Sequence, residues 1–240
     1  MSADRRRFLQ HLTLGGVALG TTPSLLGASE TPHADERDAG TARLAEFLEA
    51  EQPAQPSFDI TWTQKLTGKH KAVFDVPELT EGSGVFRAAL WRVHYRDLLQ
   101  ATPADLSPVL VIRHLAMPFI MSHEFWERYD VAKVNKLRHP LTGKPTRRNI
   151  VNMTAEDDGL SPTFASYAIE KQIAAGTIVL GCNMAFSAMT SLVAKKDKLK
   201  GAAARERALS MMLPGVLLQP NGIFAVTMAQ QHGCVFVAAS

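Results

Sequence analysis

From residue 70 onward, short apolar runs alternate with longer stretches whose apolar positions recur at helical spacing. His70-Lys-Ala-Val-Phe-Asp-Val76 reads as a strand, and Gly82-Ser-Gly84 breaks the chain before a helix over 85–99. That helix keeps Phe86, Ala89, Leu90, Val93 and Leu98 close to one face. Pro108-Val-Leu-Val-Ile-Arg-His114 is a second strand, and its unbroken apolar run suits a strand covered on both faces. Helices are predicted over 118–129 and 164–175, the second stopped by Gly176, followed by a third strand over 177–180. Helices over 183–196 and 202–212 precede a fourth strand at 216–219. A helix over 222–231 ends at Gly233, and 234–237 is a fifth strand. Strands alternating with helices through short turns predict an α/β fold with a parallel sheet and helices on both faces.

Two segments interrupt this rhythm. Residues 130–163 are polar and contain proline, and 133–148 hold Lys133, Lys136, Arg138, Lys144, Arg147 and Arg148. The segment reads as an insertion, its basic part as a solvated loop, with an anion site or a subunit contact as the alternatives. Residues 30–59 carry eight acidic and two basic residues and prolines at 32, 53 and 56. Leu44, Phe47 and Leu48 sit there at helical spacing, so 30–66 is expected to be an acidic linker holding one short helix. The folded domain is then expected over 67–240.

The first 29 residues read as an address. Arg5-Arg6-Arg7-Phe8-Leu9, a weakly apolar run from Leu12 to Gly20 and the small residues Gly27-Ala-Ser29 resemble a twin-arginine export signal. Asp4 and Gln10 depart from its commoner neighbours, Ser or Thr and Lys. The expected location is periplasmic. Cleavage near Ser29 removes three arginines and one aspartate, which takes the formal charge from +3 to +1. The electrostatic case for nucleic-acid binding goes with it. No run of about 18 apolar residues exists to span a membrane, so no integral span is expected. Two cysteines in 240 residues exclude a disulfide scaffold and a four-cysteine zinc site.

In an open parallel sheet, ligands bind beyond the carboxyl ends of the strands. Asp75, Arg113, His114, Cys182, Asn183, Gln219 and Asn221 stand at those ends. Cys182 carries the most information, because it lies where a strand meets a helix N-terminus. Helix N–H groups and the helix dipole favour negative charge there, and the anionic form is the reactive form of a thiol. A small buried cysteine that only packs is the alternative. Arg113 and His114 either orient an anionic or sulfur species, or pair with a carboxylate and cap a turn. Asn183 and Asn221 both open helices, as N-caps or as binding groups. Cys234 enters the last strand at the other edge. A strand of four to six residues spans roughly 13 to 20 Å. Disulfide geometry needs Cα atoms within about 7 Å, so no bridge between the two is expected. His94 and His123 lie in helical segments without the spacing of a metal pair, and no dinucleotide, P-loop, GxSxG or HExxH motif occurs.

His70-Lys-Ala-Val-Phe-Asp-Val-Pro-Glu78, Val109-Leu-Val-Ile-Arg-His114, Gly181-Cys-Asn183, Leu213-Pro-Gly-Val216 and Gly222-Ile-Phe-Ala-Val226 through Gly233-Cys234 follow in an order that resembles the periplasmic branch of the DsrE/DsrF-like family. The resemblance implies one three-layer α/β/α domain with a five-stranded, mainly parallel sheet, assembled as a homotrimer or homohexamer. It also implies that Cys182 matches the cysteine that carries persulfide sulfur between a donor and an acceptor protein in the sulfur-handling branch. The insertion at 130–163 departs from the small cytosolic members. The expected function is periplasmic sulfur handling or thiol redox work through Cys182, with Arg113, His114, Asn183 and Asn221 as binding residues. The competing expectation is a non-catalytic oligomeric binding protein with a small ligand or haem-like cofactor in the same strand-end pocket. Cys182, His114 or a methionine such as Met184 or Met189 would then make the contacts. The sequence itself identifies no cofactor.

Overall fold

The sheet has five strands, all parallel, in the order β4-β3-β2-β1-β5. They are β1 (His70–Val76), β2 (Leu106–Ile112), β3 (Ile178–Cys182), β4 (Leu217–Gln219) and β5 (Val235–Ala238). The computed structural model describes residues 57–239. The expected export signal and the linker up to residue 56 lie outside the described residues. α1 (Ser83–Leu99) joins β1 to β2, α7 (Asn183–Asp197) and α8 (Gly201–Ser210) join β3 to β4, and α9 (Gly222–Gln231) joins β4 to β5. Between β2 and β3 run a 3-10 helix (His114–Ile120) and the short helices α2 (His123–Arg128), α3 (Val131–Val134), α4 (Ala155–Asp158), α5 (Pro162–Ala165) and α6 (Ile169–Ala174). Helices flank the sheet on both sides, so the three-layer α/β/α architecture is present.

Side-chain alternation along the strands divides the core into two layers. Phe74, Val76, Leu110, Ile112 and Val179 meet the large layer, built with Val85, Met117, Phe119, Phe125, Trp126, Phe186 and Ala208. Val73, Val109, Val111 and Leu180 face the thin layer, which holds Ala225 and Ala229 of α9, Cys234 and Trp62. Three successive steps from β1 to β4 run in one direction and put their helices on the first face. The last connection reverses direction and puts α9 on the second, as right-handed crossovers require. β3 and β4 are therefore neighbours whose outgoing chains leave to opposite faces.

Two predicted helices are each broken in two. Pro118 lacks an N–H, and the chain around it runs as a 3-10 helix. It then turns at Ser122, whose Oγ accepts the Phe125 N–H at 3.2 Å and starts α2 anew. The 164–175 helix is divided between α5 and α6. There the Ser166 hydroxyl donates to Thr163 O at 2.6 Å and competes with helix continuation. At Gly82, φ is +83°, and an added Cβ would lie 2.6 Å from Val151 Cγ1, so only glycine fits the turn into α1.

The packed chain begins before residue 67. Residues Thr61–Lys65 form a 3-10 turn, and Trp62 is fully buried under the thin layer. Its Nε1–H donates to Gln219 Oε1 at 3.2 Å, and Gln219 Nε2 donates back to Asp59 O at 2.8 Å. The end of the expected linker is thus part of the domain. The 130–163 segment is also divided. Its basic part faces solvent, whereas Asn149, Ile150, Val151 and Met153 are buried, and Asn149 Nδ2 donates to Phe119 O and Met121 O.

His123 braces that buried stretch. Its Nδ1 accepts the Asn149 N–H at 3.0 Å, which leaves Nε2 as the donor to Asn152 O at 2.9 Å. Burial, with the nearby charge of Arg148, pushes the imidazole below its ordinary pKa of 6.5. The folded state therefore binds fewer protons than the unfolded chain, and the stabilisation is complete above the unfolded value. It is lost as pH falls below 6.5 toward the folded value. Urea midpoints should drop between pH 7 and 5 in the wild type, at about 1.4 kcal/mol per unit of pKa depression. His123→Gln should be less stable at pH 7 but nearly flat across that interval. Equal slopes in the two proteins would remove His123 from this role.

Candidate functional site

β3 and β4 pair with Cys182 opposite Gln219, the last residues of both strands. Because their connections leave to opposite faces, this is the topological switch point of the sheet, where α/β folds open a crevice. Next to it, Arg113 follows β2 and Asp75 lies in β1.

Asp75 and Arg113 form a two-pronged pair, Nε to Oδ1 at 2.7 Å and Nη2 to Oδ2 at 2.8 Å. The hydrogen bond to Asp75 raises the guanidinium pKa above its usual value, with the charges of Asp75, Cys182 and Glu78 adding and burial opposing. Arg113 follows β2, whose last residue Ile112 pairs with Gly181, so the cation is anchored one strand away from Cys182. The aliphatic stem of Arg113 runs across the first turn of α9. A Cβ at Gly222 would come within 2.5 Å of Arg113 Cδ, so the absence of a side chain there lets the arginine lie flat.

Cys182 caps α7. Its Sγ accepts the Ala185 N–H at 3.5 Å, and the residue is 7% exposed. The cysteine stands at the strand end as expected, but more enclosed than a freely accessible thiol. Cys234 precedes the edge strand β5, across three strand spacings, roughly 14 Å, and at the opposite end of the sheet. Both thiols are free. Burial pushes the Cys234 thiol up to about 11, against a smaller opposing effect of Lys71.

The other sequence candidates divide. Asn221 caps α9, its Oδ1 accepting the Phe224 N–H at 2.8 Å, and its amide N–H groups have no partner among the described residues. Asn183 is engaged by Arg205, whose Nη2 donates to its Oδ1 at 2.6 Å while the guanidinium lies 5.4 Å from the centre of the Phe186 ring. His114 has a left-handed φ of +51° and points Nδ1 at Glu78 Oε1, 3.5 Å away. The structure therefore sets Arg113 and Cys182 at the ends of the neighbouring strands β2 and β3, with Arg113 paired to Asp75, ties His114 to the loop after β1, and commits Asn183 to a neighbouring helix. Gln219 is fully buried and spent on Trp62, Asp59 and Leu218.

Asp75 and Arg205 are the partners that the sequence pattern did not assign. A carboxylate inside the apolar run 70–76 is itself a signal that a cation must lie nearby. For Arg205 no such signal exists, because its partner lies on a different helix. Around the crevice Leu115, Met184 and Ile223 are 56%, 69% and 72% exposed, each one or two residues beyond a site residue. Met189, by contrast, is buried in the large layer.

Among the described residues no group of three His, Cys, Asp or Glu side chains could hold a metal ion, and no helix is long and apolar enough to cross a membrane. No protein-family model, curated protein or solved structure matches the chain.

Proposed function

We propose that the crevice between β3 and β4 is the working site of a sulfur-handling protein of the DsrE-like kind, with Cys182 as the group that carries sulfur. One observation carries the proposal: the thiol at the sheet's switch point receives a helix N-terminal N–H at 3.5 Å and stands one strand away from the anchored cation of Arg113. The Cys182 thiolate attacks the outer sulfur of a persulfide donor, forms Cys182–S–SH and releases the donor thiolate. An acceptor thiolate then takes the outer sulfur and restores the Cys182 thiolate, with no net oxidation. The fixed cation and the helix N–H groups favour each anionic sulfur along the way. The exposed Leu115, Met184 and Ile223 around the crevice support donor and acceptor proteins as partners. Export by the twin-arginine route and assembly as a homotrimer or homohexamer belong to the same proposal.

The 7% exposure of Cys182 favours a second reading, in which the crevice binds a small anionic ligand at Arg113 and the Asn221 amide without covalent chemistry. Intact mass spectrometry of natively purified protein separates the two. A mass gain of about 32 Da mapped to Cys182 supports sulfur carriage. A small molecule lost on denaturation, with a bare thiol, supports the binding protein.

A further inference from the structure

A pocket of about 690 Å³ lies between α2, α3 and the loop after α3, and no strand residue lines it. Its volume falls in the range that encloses a small organic molecule. Four cations line it, Lys133, Lys136, Arg138 and Arg147, against the single carboxylate of Asp130. Lys196 already engages that carboxylate at 3.0 Å. Arg138 donates to Gly143 O at 3.1 Å, and Arg147 reaches only Glu127, at 3.6 Å on an exposed surface. Lys133 and Lys136 make no ion pair among the described residues.

Beneath the charges the wall is apolar. Ala132, Leu137 and Pro145 line the pocket, and Trp126 lies under it. Trp126 is held by its Nε1–H donating to Pro118 O at 2.7 Å. The wall is also fixed. Leu137 N–H donates to Ala132 O at 2.8 Å, Arg138 pairs with Pro145 in an antiparallel bridge, and His139 Nε2 meets Asp158 O at 3.0 Å. Chain that only needed to cross solvent would gain nothing from a preformed apolar hollow ringed by unpaired ammonium groups. Four cations against one lining carboxylate, which Lys196 already engages, repel one another, and a bound anion relieves that repulsion.

We infer that this pocket binds a small amphipathic organic acid, with its apolar body against Leu137 and Pro145 and its carboxylate, sulfonate or phosphate head between Lys133 and Lys136. The site is independent of Cys182. Anilinonaphthalene sulfonate, titrated by fluorescence into the full chain, should fill one saturable site per chain, and laurate should displace it. Lys133→Glu with Lys136→Glu should weaken binding by about tenfold or more. Both residues are exposed and unpaired, so the fold should survive, as circular dichroism would check. Leu137→Asp, which spoils the apolar wall, should weaken the probe similarly, whereas Lys200→Glu, outside the pocket, should change nothing. Absence of a saturable site, or an affinity unmoved by the paired charge reversal, would overturn the inference. So would displacement by inorganic phosphate as readily as by laurate, which would reduce the pocket to a bare anion patch.

Discussion

Iodoacetamide should modify Cys182 tenfold or more faster than Cys234 at about pH 7.5. The two residues are almost equally enclosed, 7% and 6% exposed, so access alone predicts no contrast. Their surroundings differ. Cys234 lies among Val73, Ala229 and Trp62 in the thin layer, where burial holds its thiol near 11. At about pH 7.5 such a thiol is almost wholly protonated and therefore a poor nucleophile. The Cys182 sulfur receives an N–H at the start of a 15-residue helix, and the Arg113 cation follows the neighbouring strand. Removing the cation should shrink the contrast, and Arg113→Gln, which keeps part of the stem, is the variant to use. Asp75 would then lose its partner at 8% exposure, so a stability measurement must accompany the rates. Equal rates for the two cysteines in the wild type would leave Cys182 as a packing residue.

Trp62→Ala should cost about 3 to 5 kcal/mol of unfolding free energy. The indole is fully buried in the thin layer with Val73, Val109, Val111 and Leu180 of the sheet. Its loss opens a cavity and also deprives Gln219 Oε1 of its donor, in a residue that is itself fully buried. Against a typical total of about 5 to 15 kcal/mol, that is roughly a fifth or more of the protein's stability. Trp62→Phe keeps most of the volume and loses the N–H, so its cost should be about 1 to 3 kcal/mol. Denaturant midpoints and slopes measure both. A change below about 1 kcal/mol for alanine would return residues 57–66 to the linker. Trp62 matters to the site as well, because Gln219 ends β4 beside Cys182.

That tryptophan marks where sequence reading stopped. The strands were legible because their apolar runs are continuous, as at 108–112, and the helix over 222–231 because Asn221 and Gly233 bracket it. Trp62 stands alone beside an acidic, proline-containing stretch with no periodicity around it, so only tertiary packing reveals its burial. Asn149 to Met153 escaped for the same reason: five residues buried within a polar segment are too short to show a period. The breaks at Ser122 and at Ser166 depend on single hydroxyl groups that the apolar pattern does not record.

The site was legible as a position rather than as a set of contacts. The strand-end rule located Cys182, Arg113 and Asn221, and the strand order adds that β3 and β4 form the switch point. It carried pairing of Arg113 with a carboxylate as an alternative but did not single out Asp75, and it did not disclose that His114 turns to Glu78 or that Arg205 occupies Asn183. Those pairings join residues from separate elements, and apart from the carboxylate of Asp75 within an apolar run, spacing along the chain carries no trace of them. The enclosure of Cys182 is of the same kind, since it is set by side chains of the large layer.

Sulfur loading followed by mass mapping tests the central proposal most directly. The reduced protein is incubated with a low-molecular-weight alkyl persulfide, freed of excess donor and mapped by peptide mass. Sulfur carriage at the switch point predicts about 32 Da on the Cys182 peptide, none on the Cys234 peptide, and loss of the added mass to an acceptor thiol. An unloaded Cys182, or equal loading of the Cys182→Ser variant, would contradict it.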